Sequence, residues 1–134
     1  MKDRVEKAVE LFKSGYNCSQ SVVAAFADMY GFTQEQALRM SASFGGGIGR
    51  MRQTCGAACG MFLLAGLEKG AVDGKDREGK AANYALVQQL AEEFRKRNGS
   101  MICAELLGLK KPEGSSTPEA RTEQYYACLL YTSP

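Results

Sequence analysis

Residues 43–67 read SFGGGIGRMRQTCGAACGMFLLAGL, and they join a glycine-rich segment to one that is apolar on nearly every side. A helix that is apolar all round is expected to be central, with other helices surrounding it. Gly56 and Gly60 stand one helical turn apart near its start. Because each glycine costs a helix about 1 kcal/mol relative to alanine, such a pair indicates that another backbone approaches closely. We therefore predict a central helix over residues 55–67, packed tightly against a neighbour.

Three helices are predicted before this stretch. Apolar residues recur at helical spacing along the first helix, and Gly15 supplies its stop signal. Asn17 with Gln20, and Thr33 with Gln36, are capping-box pairs that mark where the second and third helices begin. The residues predicted to face the core are Val5, Ala8, Val9 and Phe12 in the first helix, Cys18, Val22, Ala25, Phe26 and Met29 in the second, and Ala37, Met40 and Phe44 in the third.

Further helices are predicted after the central one. A long helix spans about residues 76–98 and stops before Gly99, with a basic run in its last turn that complements the negative end of the helix dipole. Ser100 is predicted to cap a short helix that carries Cys103, and Thr117 to cap a final helix that carries Cys128. Strand-like alternation of useful length is absent from the sequence. The predicted fold class is therefore all-α, an irregular bundle of five to seven helices in a single domain over residues 1–134.

The composition narrows the class of function. A net charge of +2 with scattered basic residues gives no reason to expect a nucleic-acid partner. The charged N-terminus lacks the apolar core of a signal peptide, and no segment reaches the roughly 18 apolar residues of a membrane span, so we expect a cytoplasmic protein without membrane insertion. Histidine is absent and five cysteines are present. Any chemistry therefore depends on thiols and carboxylates, since Ser-His, Cys-His and histidine-metal arrangements are excluded.

The glycine-rich segment is a poor match to a phosphate-binding loop. It contains neither the G-x-x-x-x-G-K-[ST] arrangement nor G-x-G-x-x-G, and no strand precedes it. An anion could still bind at the helix N-terminus beside Arg50 or Arg52. We consequently expect the glycines to serve a tight turn and close helix packing instead of a nucleotide.

Three cysteines are predicted to lie in first helical turns. We place Cys18 at N1, Cys55 at N1 behind Thr54, and Cys103 at N3, where unsatisfied amides and the helix dipole favour a thiolate and can lower a cysteine pKa from about 8.5 toward neutrality. Arg50 and Arg52 could add to this effect at Cys55. The alternative is that each cysteine fills the core, because cysteine is among the most buried residue types.

Cys55 and Cys59 lie one turn apart, so both could face a common thiol, metal or substrate. A disulfide between these two residues is a poorer prediction, because an intact helix rarely gives the Cβ directions that a disulfide needs. The chain has no C-x-x-C motif, which leaves a thioredoxin-like motif and a zinc ribbon unsupported.

The cysteine order resembles that of the redox-active protein family named for its C, CGAxxG, C, C pattern. The matching elements are GYNCSQSV, CGAACG, CAELLG and YYACLL, which carry Cys18, Cys55, Cys103 and Cys128. The resemblance implies redox activity without naming a reaction, and it implies an oxidoreductase or transporter-associated partner, since members are often encoded near such proteins. It assigns these four cysteines to catalysis or to metal binding. The tail LLYTSP, residues 129–134, departs from the pattern and is predicted to be truncated or non-native.

The resemblance also implies roles for the residues around Cys55. Gly56, Ala57 and Gly60 complete the family element, and we assign Gly56, Gly60 and Cys59 to cofactor binding around it. Cys59 occupies a variable position of the pattern. It is therefore either an additional ligand or resolving thiol, or a small residue that faces the core.

Three functions stay open at this point. In the first, Cys55 attacks a disulfide and Cys18, Cys103 or Cys59 resolves the mixed disulfide. In the second, the four family cysteines hold an iron-sulfur cluster or another thiolate-bound soft metal, as electron-transfer proteins do. In the third, the chain is a non-catalytic helical module that binds a ligand or partner, and its cysteines merely pack.

Overall fold

The computed structural model describes residues 2–108, and in this part of the chain it contains six α-helices and no strand. The helices are α1 (Lys2–Lys13), α2 (Cys18–Phe26), α3 (Gln34–Ser41), α4 (Gly56–Lys69), α5 (Arg77–Asn98) and α6 (Cys103–Leu106). Short 3₁₀ helices, Ala27–Tyr30 and Ala42–Phe44, extend α2 and α3. None of the helices within residues 2–108 combines the length and apolarity needed to cross a membrane. The all-α prediction is confirmed, and the predicted last helix, with Thr117 and Cys128, lies outside the described residues.

Local capping signals place the helix ends where the sequence predicted them. Asn17 Oδ1 accepts the Gln20 amide at 2.9 Å while Gln20 Oε1 accepts the Asn17 amide at 3.1 Å, which completes the capping box of α2. Thr33 and Gln36 form the same reciprocal pair at α3. Gly99 ends α5 in the left-handed conformation, with a φ of 86°. Each signal acts within one or two turns, so it can be recognised without knowledge of the tertiary fold.

The core forms where α2 crosses its neighbours. α2 packs against α1, α3 and α4, and α4 packs in turn against α5. The buried centre consists of Val23, Ala24, Ala27 and Ala37, with Leu11, Phe32, Leu38 and Leu63 packed around it.

Several residues predicted to face the core are instead exposed: Val5, Val9, Met29 and Met40. The predicted face of α2 was right at Ala25, which is buried, and wrong at Met29, which is exposed. The rest of the buried face is built largely from small residues, namely Ser19, Ser21, Val23 and Ala24. Small side chains are required wherever a second backbone comes close, and a search for large apolar residues overlooks them.

The close approach predicted from the glycine pair is confirmed. A Cβ on Gly56 would lie 2.8 Å from the Phe44 carbonyl oxygen, and one on Gly60 would lie 3.1 Å from Val22 Cβ and 3.2 Å from the Ser19 carbonyl oxygen. Both glycines are buried. α4 therefore begins in direct backbone contact with α2 and with the 3₁₀ helix before the glycine-rich segment.

The glycine-rich segment forms a left-handed loop, residues 45–53, between α3 and α4. Five consecutive residues, 46–50, have φ between 59° and 77°, and Arg52 has a φ of 60°. Ile48, Arg50 and Arg52 are the non-glycine residues in this conformation, which usually costs such residues roughly 1–2 kcal/mol each. Backbone hydrogen bonds hold the loop, among them Gly49 N–H to Ser43 O at 2.8 Å and Gln53 N–H to Gly47 O at 2.9 Å.

Candidate functional site

A short antiparallel contact joins the end of the left-handed loop to the start of α6. Thr54 and Ile102 form an isolated bridge. Two backbone hydrogen bonds enclose it, from Cys55 N–H to Met101 O at 2.7 Å and from Cys103 N–H to Gln53 O at 2.6 Å. Because side chains alternate between the two faces of such a ribbon, Cys55 and Cys103 are expected to share the face opposite Thr54 and Ile102. They occupy diagonal positions across the bridge, which typically lie about 7–8 Å apart.

Cys55 is the N-cap residue of α4, one position earlier than predicted, and is half-buried. Burial raises the pKa of the Cys55 thiol, while the backbone amides of Ala58 and Ala57 oppose the rise without completing a cap hydrogen bond to sulfur. The nearby Cys103 thiol raises the Cys55 pKa further. The prediction that the Cys55 pKa falls toward neutrality was therefore wrong, because desolvation of the thiolate outweighs the amides of the helix N-terminus.

Cys103 lies at N1 of α6, not at N3, and is buried. Ser100 acts before the helix rather than as its N-cap: its Oγ accepts the Ile102 amide at 3.0 Å and donates to Glu105 Oε2 at 2.6 Å. The buried position of Cys103 brings it against the side chain of Arg52.

Arg52 donates from a guanidinium nitrogen to Cys103 Sγ at 3.5 Å. The arginine is only 4% exposed, so this contact lies inside the protein. Sequence reasoning expected arginine support at Cys55, and the structure directs Arg52 to Cys103 instead. A guanidinium stays charged in proteins, and a charged donor hydrogen-bonds more strongly to an ionised acceptor than to a neutral one.

The left-handed loop holds Arg52 in this position through its backbone. Arg52 N–H donates to Gly46 O at 3.2 Å, and Arg52 O accepts the Ala104 amide at 3.2 Å. A Cβ on Gly47 would lie 2.6 Å from Cys103 Cβ and 2.7 Å from Arg52 Cα. Glycine at position 47 thus lets the arginine backbone and the cysteine approach each other.

Cys18 and Cys59 complete the thiols around the first turn of α4. Cys18 lies at N1 of α2, as predicted, and is half-buried. Its Cβ is 3.4 Å from where a Gly56 Cβ would stand. Cys59 is buried and its thiol faces the Thr54 carbonyl oxygen at 3.8 Å. Burial, and then the neighbouring Cys55, raise the pKa of Cys59.

The four cysteines within residues 2–108 form no disulfide with one another. In that same part of the chain, no three side chains of cysteine, aspartate or glutamate are grouped so that they could hold a metal ion. Cys128, the fourth candidate ligand, lies outside the described residues. The metal-ligand set Cys18, Cys55, Cys103 and Cys128, and cofactor binding by Gly56, Gly60 and Cys59, therefore stay predictions.

Comparison with known protein families identifies the chain. Residues 16–133 match the family described as "Putative redox-active protein (C_GCAxxG_C_C)". The chain belongs to this family, and its own central element reads Cys-Gly-Ala-Ala-Cys-Gly from Cys55 to Gly60. Searches of curated proteins and of solved structures found no match to the chain.

Proposed function

We propose that this member of the redox-active family carries out thiol–disulfide exchange, with Cys55 and Cys103 as its redox couple. The observation that carries the proposal is the pair of backbone hydrogen bonds around the Thr54–Ile102 bridge. These bonds join the segments that carry two cysteines, 48 positions apart in sequence, and the alternation of side chains along a ribbon supports a shared face for both. The electrostatic effect of the Cys103 thiol on the Cys55 pKa supports the same proximity.

The couple can close with a small movement. Diagonal positions across an antiparallel pair lie about 7–8 Å apart, and disulfides usually join residues whose Cα atoms are about 4.4–6.8 Å apart. A closure of roughly 1–2 Å is therefore enough to form the bond. α6 has four residues, so its first turn can shift toward α4 without moving a long helix.

The difference in exposure between the two cysteines indicates which one reacts first with the substrate. Cys55 is half-buried and can meet a substrate, whereas Cys103 is buried. The Cys55 thiolate attacks one sulfur of a substrate disulfide, and the other substrate sulfur leaves as a thiolate. The Cys103 thiolate then attacks Cys55 Sγ and releases the second substrate thiolate. The protein loses two protons and two electrons, and the substrate disulfide becomes two thiols.

Cys18 and Cys59 are bystanders in this scheme. Cys59 points its thiol at a backbone carbonyl, and Cys18 belongs to α2, where its Cβ faces Gly56. Replacing either residue by serine consequently leaves the couple intact.

The test is to prepare the reduced protein without oxygen, oxidise it with glutathione disulfide, count free thiols and map the linked peptides. We expect two of the five thiols to be lost and a peptide pair that joins Cys55 to Cys103. Cys18→Ser and Cys59→Ser should keep that link, while Cys55→Ser and Cys103→Ser should lose it. Retention of all five thiols would favour a packing role. Bound iron or zinc that disappears in the cysteine variants would favour a metal site. Either result contradicts the proposed couple.

A further inference from the structure

The contact between Arg52 and Cys103 indicates in which direction electrons move. Arg52 is only 4% exposed, and it donates to Cys103 Sγ at 3.5 Å. When Cys103 is bonded to Cys55 its sulfur is neutral, and when that bond breaks heterolytically the sulfur carries a full negative charge. A charged donor therefore gains more from the reduced, thiolate form than from the disulfide.

The position of Arg52 is fixed before any reaction occurs. Its backbone is hydrogen-bonded on both sides, to the left-handed loop through Gly46 and to α6 through Ala104. Arg52 has a φ of 60°, and the backbone of Gly47 lies so close that an added Cβ would stand 2.6 Å from Cys103 Cβ and 2.7 Å from Arg52 Cα. The charge is thus preorganised, so that little rearrangement is needed when the thiolate forms.

We propose that Arg52 makes the Cys55–Cys103 disulfide an electron acceptor for thiol substrates, by stabilising the Cys103 thiolate as the leaving group. This inference rests on the proposed function. A substrate thiolate attacks Cys55 Sγ, the bond to Cys103 breaks, and the Cys103 thiolate stays beside Arg52. A second substrate thiolate attacks the substrate sulfur of the mixed disulfide, and Cys55 leaves and takes up a proton. Two substrate thiols become one disulfide, the protein disulfide becomes the Cys55 thiol and the Cys103 thiolate, and one proton is released to solvent.

The substrate class follows from this direction. Stabilisation of the reduced form makes a disulfide a stronger oxidant, because the equilibrium with thiols shifts toward the protein dithiol. The chain is then suited to oxidise a dithiol, or two monothiols, and the exchange in which Cys55 attacks a disulfide is the step that reoxidises the protein.

The experiment equilibrates the full chain with glutathione buffers and measures the ratio of dithiol to Cys55–Cys103 disulfide by mass spectrometry. From the usual strength of a hydrogen bond to a charged group, loss of the guanidinium should change the ratio of dithiol to disulfide by a factor on the order of 10 to 100. We expect Arg52→Met to shift the equilibrium by that factor toward the disulfide, and Arg52→Lys to shift it less. Arg50→Met is the matched control, since Arg50 has the same left-handed conformation, with a φ of 61°, in the same loop. We expect this control to shift the equilibrium far less than Arg52→Met does.

The outcomes separate the two proposals. If the wild-type protein forms no Cys55–Cys103 disulfide, the proposed function fails. If it forms that disulfide and Arg52→Met leaves the equilibrium unchanged, the role of Arg52 is overturned and the couple stands. Circular dichroism establishes that each variant is folded. If Arg52→Met does not fold, Arg52→Lys carries the test, and an equilibrium equal to that of the wild type for a folded Arg52→Lys contradicts a role for the planar guanidinium.

Discussion

Gly56→Ala is the substitution that tests most sharply how α4 is held. The added Cβ would lie 2.8 Å from the Phe44 carbonyl oxygen, 3.3 Å from the Ser19 amide nitrogen and 3.4 Å from Cys18 Cβ. Two of these contacts are backbone atoms, so no side chain can rotate away to make room. The start of α4 must withdraw from the Phe44 carbonyl oxygen by about 0.7 Å to restore a normal contact distance of about 3.5 Å.

The cost of this substitution can be set against its gain. Inserting a methyl group into a well-packed site typically costs about 1–3 kcal/mol. Alanine is better than glycine in a helix interior by about 1 kcal/mol, and by less in the first turn, where Gly56 lies. We therefore expect Gly56→Ala to reduce the free energy of unfolding by about 1–2 kcal/mol.

Gly66→Ala is the control in the same helix. A Cβ there would meet no atom of residues 2–108 within 4 Å, so the substitution gains helix propensity without a clash in this part of the chain. It should raise the free energy of unfolding by about 0.5–1 kcal/mol. Urea denaturation followed by circular dichroism measures both variants. A Gly56→Ala protein as stable as the wild type would refute close packing at the start of α4, as would equal loss of stability in the two variants.

The loop and the thiols lead to three further predictions. Gly47→Ala and Gly49→Ala both put alanine at positive φ, but only the new Cβ at position 47 would also meet Cys103 Cβ, at 2.6 Å. Urea denaturation should therefore show Gly47→Ala to be less stable than Gly49→Ala by about 1–3 kcal/mol. Equal losses of stability in the two variants would contradict the contact. Because burial raises the pKa of Cys55, iodoacetamide should alkylate Cys55 more slowly than free cysteine at about pH 7.5, as measured on the Cys55 peptide. The alkylation rate of Cys55 should also keep rising with pH where the rate of free cysteine has reached its plateau. A plateau of the Cys55 rate near neutral pH would contradict the raised pKa. The pKa values of Cys55 and Cys59 are raised in the folded state, so the folded protein holds more protons than the unfolded chain at alkaline pH. The free energy of unfolding should therefore fall as pH rises above the ordinary thiol pKa. Cys59→Ser should make this fall with pH shallower, and an unchanged slope of unfolding free energy against pH would argue against a raised Cys59 pKa.

The parts of the fold that the sequence predicted are those with short-range causes. The capping boxes at Asn17 and Thr33 act within four residues, and Gly99 ends its helix through its own φ. The contact at Gly56 and Gly60 is long-range, yet it was predictable because glycine lowers the stability of a helix unless a close backbone contact requires it there.

The candidate site was predicted in composition but not in geometry. The pairing of Cys55 with Cys103 depends on a bridge between segments that are far apart in sequence, and a single bridge leaves no alternating pattern to recognise. The direction of Arg52 depends on left-handed φ values that non-glycine residues rarely adopt. The raised pKa of Cys55 reflects burial, which is a tertiary property. The exposed Val5 and Met29 show the same limit, because the choice of buried face is made by the neighbouring helix.

The most direct measurement of the central claim is the intact mass of Cys103→Ser after reaction with glutathione disulfide. If Cys55 receives the substrate and Cys103 resolves the mixed disulfide, this variant should retain one glutathione on Cys55, because the resolving thiol is gone. The wild-type protein and Cys59→Ser should instead retain none and lose two hydrogens as the Cys55–Cys103 bond forms. Glutathione attached to Cys18 or Cys59 in the variant, or retained equally on Cys55 in the wild type, would contradict the account.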